Sequence, residues 1–210
     1  AIETLADILL PHIITLPRSL TKTKSETPPS QPIPIKPSSK TQSEEILEHW
    51  LRDGARQANK VIYHCNADYE INMASTLTAA LLYKHRLYVA SVGDSRAYHY
   101  SNDRGLTCIS NQVGGTSLPG GQQATSAQVL EDRLLGVHYN VPVEVRQMAV
   151  QPGELILLCT DGLWHMVNDQ RLEEMLAGGG DTQVMAHTLV EAANRAGGEG
   201  NISAIVVRVQ

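Results

Sequence analysis

The sequence contains no phenylalanine, and aromatic residues make up only 4% of its 210 residues. Hydrophobic residues still account for 42%, so the core has to be built mainly from leucine, isoleucine, valine, alanine and methionine. Because charged residues reach only 19%, this composition excludes a wholly disordered chain. A chain of this length forms one globular domain, alone or with a long linker.

Cysteine and basic residues are also scarce. The three cysteines, Cys65, Cys108 and Cys159, lie far apart in the sequence and form no C-x-x-C pair. This argues against a disulfide framework and predicts a cytoplasmic protein, because the cytoplasm keeps thiols reduced. Lysine and arginine total 17 against 22 acidic residues, which gives a net charge of −5. A nucleic-acid partner normally requires a basic excess, so none is expected.

No apolar run is long enough to span a bilayer. The first, residues 5–16, is interrupted by Pro11 and His12, and the start lacks the charged flank and cleavage site of a signal peptide. No membrane partner is therefore expected. Residues 2–14 have the spacing of an amphipathic helix, but neither an N-cap nor an initiator methionine precedes them. We therefore expect the sequence to begin inside a longer protein.

Residues 17–43 differ in character from the rest of the sequence. They are rich in proline, serine, threonine and lysine and have almost no apolar periodicity. Such a segment cannot bury enough surface to offset its ordering entropy. It is predicted to be a flexible insertion within a domain that spans residues 1–210; an SH3-type ligand or a phosphorylation segment is the alternative.

The remaining pattern predicts helices and strands in an α+β order. Thr41 and Glu44 have the spacing of a capping box, which opens a helix running to about Cys65. Strands are predicted at 75–84, 86–94, 95–101, 143–150 and 154–160. Two helices follow, at 169–177 and at 181–196 with Asp181 as its N-cap, and a last strand at 201–209 ends the pattern. This order indicates antiparallel sheets, and the first three strands are expected to form one contiguous meander.

Two acidic turns are the candidate chemical site. Asp94 and Asp161 each follow an apolar strand and lie beside a glycine. Carboxylates at strand ends are suitable ligands for hard cations such as Mg²⁺ or Mn²⁺. The alternative is that each aspartate caps its own turn, as aspartates commonly do. A zinc site and a serine hydrolase are not favoured, because the histidines lack ligand spacing and no G-x-S-x-G elbow occurs.

Three ordered motifs resemble those of the metal-dependent serine/threonine protein phosphatases of type 2C. They are SVGDSRAY at 91–98, LLCTDGLWHMVND at 157–169 and AGGEGNISAIVVRV at 196–209, which are similar to the family's GDSR, DGLWD and GGxDN[IV][ST] forms. Residues 57–63, 72–77 and 133–136 resemble further segments of that family. The likeness runs from the first helix to the last strand.

This resemblance implies a fold and a chemistry. The fold would be two packed antiparallel β-sheets flanked by helices, an αββα sandwich, here without the first strands of the family fold. Manganese or magnesium ions at one end of the sandwich would activate a water that attacks phosphoserine or phosphothreonine. The partner would be a phosphoprotein or a regulatory protein. An open sheet edge would also make the chain associate with itself.

The metal ligands carry over only in part. Asp161 matches the family's aspartate that ligates a core metal, and Asp94 matches the aspartate of a weaker third site. His165 stands where the family often has another aspartate of that third site. Gly200 replaces the core-ligand aspartate of GGxDN, and Glu199 beside it would point to the opposite side of an extended segment. The family's NED and DG[HM]GG segments have no counterpart here.

Two functions therefore remain open. The first is a phosphatase domain that lacks its N-terminal segment and whose metal-dependent hydrolysis is impaired or absent. The second is a non-catalytic pseudophosphatase that binds a protein or phosphoprotein. The replaced ligand at Gly200 and the altered segment after Ser110 favour the second, because truncation alone does not explain them. No catalytic side chain is assigned, and the candidate metal ligands are Asp161 and Asp94.

Overall fold

A computed structural model describes residues 42–110 and 133–210. In chain order its elements are α1 (Gln42–Tyr69), β1 (Leu77–Tyr83), β2 (Arg86–Val92), β3 (Arg96–Ser101), β4 (Gly105–Cys108), β5 (Glu144–Ala149), β6 (Leu155–Cys159), α2 (Asp161–Trp164), α3 (Asp169–Ala177), α4 (Thr182–Arg195) and β7 (Ala204–Arg208).

The strands form two stacked antiparallel sheets. One has the order β1-β2-β5 and the other the order β4-β3-β6-β7. Leu87 and Val89 of β2 pack against Ala97 and Ile156 of the second sheet, which makes an apolar layer between the sheets. Because side chains alternate along a strand, every second residue of these strands faces this layer.

Helices cover both outer faces. Leu47 and Leu51 of α1 pack on Tyr88 of β2, on the outer face of the three-stranded sheet. On the other side, Leu172 and Leu189 belong to the same buried cluster as the β6 residues, so α3 and α4 cover the four-stranded sheet. The predicted αββα sandwich is confirmed.

The predicted meander of the first three strands is wrong. β1 and β2 form a hairpin, but β2 pairs next with β5, while β3 lies in the other sheet between β4 and β6. The reason is the bend at Gly93, whose φ of +91° turns the chain out of the first sheet. Thr76 Oγ1 and Ser95 Oγ lie 2.7 Å apart and hold that bend in place.

Several local predictions are accurate. Helix α3 spans 169–177 as predicted, and Asp181 caps α4 by accepting from the N–H groups of Gln183 and Val184 at 2.9 and 3.1 Å. Strand β4 and the short helix α2 were not predicted. Helix α1 begins at Gln42, so the last two residues of the predicted insertion belong to it.

Other predicted features lie outside the described residues. These are the N-terminal helix at 2–14, the insertion up to residue 41 with the capping residue Thr41, and the segment 111–132. Within the two described ranges, no helix has both the length and the apolar character needed to cross a bilayer.

Candidate functional site

Asp94 lies in the tight turn that leads from β2 to β3, and hence from one sheet to the other. Gly93 is required there, since a Cβ on it would lie 2.6 Å from Thr76 Cγ2. Thr78 Oγ1 donates to the carbonyl of Ser95 at 3.0 Å and fixes the other side of the turn. This bond comes from β1, and the Thr76–Ser95 bond comes from the residue just before β1, so the start of the first hairpin holds the aspartate at the end of the sandwich.

Asp161 begins helix α2 immediately after β6. Thr160 Oγ1 donates to the carbonyl of Asn201 at 2.6 Å and accepts from the N–H of Ser203 at 2.9 Å. The next residue has to be glycine, because a Cβ on Gly162 would lie 2.8 Å from the Asn201 carbonyl oxygen. The segment that precedes β7 is therefore fastened against the turn that carries Asp161.

The two carboxylates influence each other electrostatically. The pKa of Asp94 is raised, first by burial and then by the negative charge of Asp161. A hydrogen bond from its own backbone and the nearby His165 and Arg96 oppose that rise. The two strand-end acids thus lie in one neighbourhood, and Asp94 also accepts a hydrogen bond from its own backbone.

An arginine–tryptophan stack joins the two acidic turns. The Arg96 guanidinium carbon lies 3.5 Å from the centre of the Trp164 ring, and the indole N–H donates to the Asp94 carbonyl at 3.1 Å. Arg96 also donates to the Tyr98 hydroxyl, which donates to Asp169 at 3.0 Å. Trp164 was not among the site residues predicted from the sequence, because no local pattern predicts a partner nearly 70 residues away in the chain.

Gly200 lies beside the turn that carries Asp161, and because it is glycine it contributes no side chain there. A Cβ built on Gly200 would lie 4.0 Å from Gly162 Cα, and apart from its chain neighbours no other atom of residues 42–110 and 133–210 comes within that distance. Its φ is +76°, which favours glycine and is tolerated by aspartate and asparagine. The neighbouring Glu199 is exposed. The position is therefore close to Asp161, and among the described residues it leaves room for a carboxylate that glycine does not supply.

The two carboxylates of Asp94 and Asp161 are few ligands for a metal cluster. Over residues 42–110 and 133–210, no group of three or more histidine, cysteine or acidic side chains is placed to hold an ion. Mg²⁺ and Mn²⁺ require several oxygen ligands, and a two-ion centre requires more. The described residues of this site do not fit such a centre.

A cavity of about 280 Å³ borders the Asp94 turn. It is lined by Ser91, Val92, Gly93, Arg133, Pro142, Val143 and Glu144. A larger groove, about 620 Å³, lies away from the acids at the C-terminal end of α1, where Tyr63, Asn66 and Met73 contribute to its wall. The smaller cavity adjoins the candidate site, and Arg133 gives it a cationic group.

Residues 15–193 match the family model described as protein phosphatase 2C. The chain belongs to the protein phosphatase 2C family. Among its relatives, serine/threonine phosphatase stp of Listeria welshimeri is 31% identical over 173 residues, which cover 78% of this chain and 68% of the relative. The resemblance stated from the three sequence motifs is thereby confirmed.

Solved structures agree with this family assignment. The serine/threonine phosphatase PstP/Ppp of Mycobacterium tuberculosis superposes with a TM-score of 0.66 at 27% identity, over 78% of this chain and 73% of that one. The catalytic domain of PstP in complex with two manganese ions gives a TM-score of 0.65 at 24% identity, over 99% and 82% respectively. At 24% identity, the likeness to the manganese-bound structure shows the shared fold alone.

Proposed function

We propose that this chain is a serine/threonine phosphatase-family domain whose own hydrolytic turnover is impaired or absent. The observation that carries the proposal is Gly200, which lies beside the Asp161 turn at the position where the family motif has a metal-ligating aspartate. Asp161 and Asp94 remain as the proposed metal ligands. Two carboxylates provide too few charged oxygen donors for tight binding of Mn²⁺ or Mg²⁺.

The proposed partner is a phosphoprotein, or a regulatory protein that presents a phosphorylated segment. Relatives are named as serine/threonine phosphatases, which supports a phosphoprotein as the binding partner. The acidic net charge does not favour nucleic acid. We place the protein in the cytoplasm, since its three cysteines form no disulfide.

Hydrolysis assays test the loss of turnover. The 210-residue protein, given p-nitrophenyl phosphate or a phosphothreonine peptide in millimolar Mn²⁺, is expected to release no phosphate above the buffer blank. The Asp161→Ala variant is the matched control and should give the same baseline. Mn²⁺-dependent release that Asp161→Ala abolishes would refute the proposal and show that the site is completed by residues other than those described.

The second candidate function is a non-catalytic phosphoprotein-binding module. The cavity beside the Asp94 turn favours it, because Arg133 presents a guanidinium there that can pair with a phosphate group. A fluorescent phosphothreonine peptide should bind without Mn²⁺, and Arg133→Ala should weaken it more than Arg195→Ala, whose arginine pairs with Glu191 on α4. Equal binding of the unphosphorylated peptide would exclude this candidate.

A further inference from the structure

Asn59 on helix α1 makes three hydrogen bonds to backbone groups that lie 77 to 80 residues further along the chain. Its side-chain oxygen accepts from the Gly136 N–H at 2.8 Å, and its amide nitrogen donates to the carbonyls of His138 and Tyr139 at 2.9 and 3.0 Å. Asn59 is only 1% exposed. Since an unpaired polar group at such a depth costs free energy, these bonds hold residues 136–139 on α1.

Asn66 lies two helical turns after Asn59 and on the same face of α1. Its amide nitrogen donates to the Gly136 carbonyl at 3.1 Å, so the two asparagines bond the N–H and the carbonyl of one residue. The Asn66 side chain also donates to the Met73 carbonyl and accepts from the Met73 N–H, both at 2.8 Å. The segment that leads from α1 into β1 is thereby held on the same helix face.

Gly136 is packed too closely against α1 to carry a side chain. A Cβ on it would overlap Ile62 Cγ2 and would lie 2.8 Å from the Met73 carbonyl oxygen. Its φ of +90° also favours glycine. Ile62 lies on α1 between the two asparagines, so the backbone of Gly136 touches the helix at the place where both asparagines bond to it.

The loop that contains Gly136 is also paired with the residues that precede β1. The Leu135 N–H donates to the Ser75 carbonyl at 2.8 Å, and the Ser75 N–H donates to the Leu135 carbonyl at 3.2 Å. Leu135 is 0% exposed. The residue after Ser75 is Thr76, which bonds to Ser95 in the turn of Asp94. A continuous series of contacts therefore connects α1 with this turn.

We propose that Asn59 and Asn66 are positioning residues for Arg133. They hold the 133–139 loop on α1, and the loop keeps the Arg133 guanidinium at the cavity beside the Asp94 turn. Neither asparagine lines that cavity, so both act through the loop backbone. A guanidinium binds phosphate by directional hydrogen bonds, so displacement of the loop weakens that binding. This consequence rests on the phosphopeptide binding proposed above.

Nitrogen-15 relaxation and amide exchange test whether the loop is held in this way. Asn66→Asp keeps the shape of the side chain but cannot donate to the two carbonyls. In this variant the heteronuclear NOE of the 133–139 amides should fall, and the Gly136 N–H should exchange about tenfold faster. Asn102→Asp adds the same charge on the β3–β4 turn, where Asn102 only accepts from Tyr100, and should change neither. Loop amides as rigid in Asn66→Asp as in the wild type would overturn the proposal.

A double-mutant cycle tests whether Asn66 acts through Arg133. With a fluorescent phosphothreonine peptide as the probe, Asn66→Asp should weaken binding about threefold to tenfold, but less than about twofold in the Arg133→Ala background. Asn66→Ala, which adds no charge, should behave in the same way. Additive losses would contradict the proposal. Glu154→Gln, at the other end of the sandwich, should leave the affinity unchanged; an equal loss there would mean that lower stability alone weakens binding.

The two measurements separate this inference from the proposed function. If the wild-type protein does not bind the peptide, the phosphopeptide function is refuted, and the loop amides still decide whether Asn66 holds the loop. If the loop loosens in Asn66→Asp and peptide affinity stays the same, the positioning of Arg133 is refuted and the binding function stands.

Discussion

At the scale of single residues, glycines shape the candidate site. Gly93 and Gly162 permit two turns in which a methyl group would meet neighbouring atoms at 2.6 and 2.8 Å. Those glycines place Asp94 and Asp161 at one end of the sandwich. Gly200 differs, because no side chain of the described residues fills the space around it. Glycine at this position supplies no metal-ligating carboxylate, and the packing around it does not require a residue without a side chain.

Gly200→Asp is therefore expected to strengthen Mn²⁺ binding without restoring turnover. An added carboxylate beside Asp161 raises the charge of the donor set, and we expect an affinity gain of about tenfold by isothermal titration calorimetry. Gly179→Asp is the control, since Gly179 has φ +66° and open surroundings on the α3–α4 loop. Equal gains in both variants would mean that the added charge acts non-specifically.

At the scale of elements, the largely buried carboxylate of Glu154 fastens β3 to the β5–β6 turn. Glu154 Oε2 lies 2.8 Å from His99 Nε2 and accepts from the Gln151 N–H at 2.7 Å. Burial by itself would raise the pKa of Glu154, but these two bonds and the Arg104 charge outweigh it and lower the pKa below its usual 4.5. The folded protein thus prefers the ionised form.

Glu154→Gln should lower the free energy of unfolding by about 1–3 kcal/mol at pH 7, because a charged hydrogen-bond acceptor is lost. A lowered carboxylate pKa contributes stability above the unfolded-state value and loses it as pH falls through the folded-state value. The difference between variant and wild type should therefore shrink below pH 4.5, as urea unfolding at several pH values would show. A constant difference from pH 7 to pH 3 would contradict this assignment.

Glu174→Gln is the matched control for this measurement. Glu174 pairs with Arg171 at 2.8 Å, but both side chains are more than half exposed. Such a surface pair contributes about 0–1 kcal/mol. The control should change stability little at any pH.

At the scale of the whole molecule, the fold buries the thiol of Cys159 between the second sheet and its helices. Burial raises the pKa of Cys159 to about 12. Since the thiolate is the reactive form, Cys159 should resist iodoacetamide at pH 8, whereas the partly exposed Cys65 should react. Peptide mass spectrometry would measure both rates. Labelling of Cys159 as fast as Cys65 would mean that the sandwich opens readily.

Helix limits, helix caps and hairpins were predicted from short-range patterns in the sequence. The limits of α3, the cap at Asp181 and the β1–β2 hairpin follow from short-range signals such as N-cap residues and alternating apolar positions. The sheet to which β3 belongs could not be obtained in this way. Its neighbours β4 and β6 are separated from it by three residues and by more than 50, and periodicity carries no information on partners.

The sequence by itself determined the family, the αββα class and the two acidic turns, because these depend on ordered motifs and residue types. Only the tertiary structure decided how they come together: the Gly93 bend between the sheets, the Arg96–Trp164 stack between the two turns, and the open space at Gly200. Each of these depends on distances between residues far apart in the chain, and those distances are set by the packing of sheets and helices.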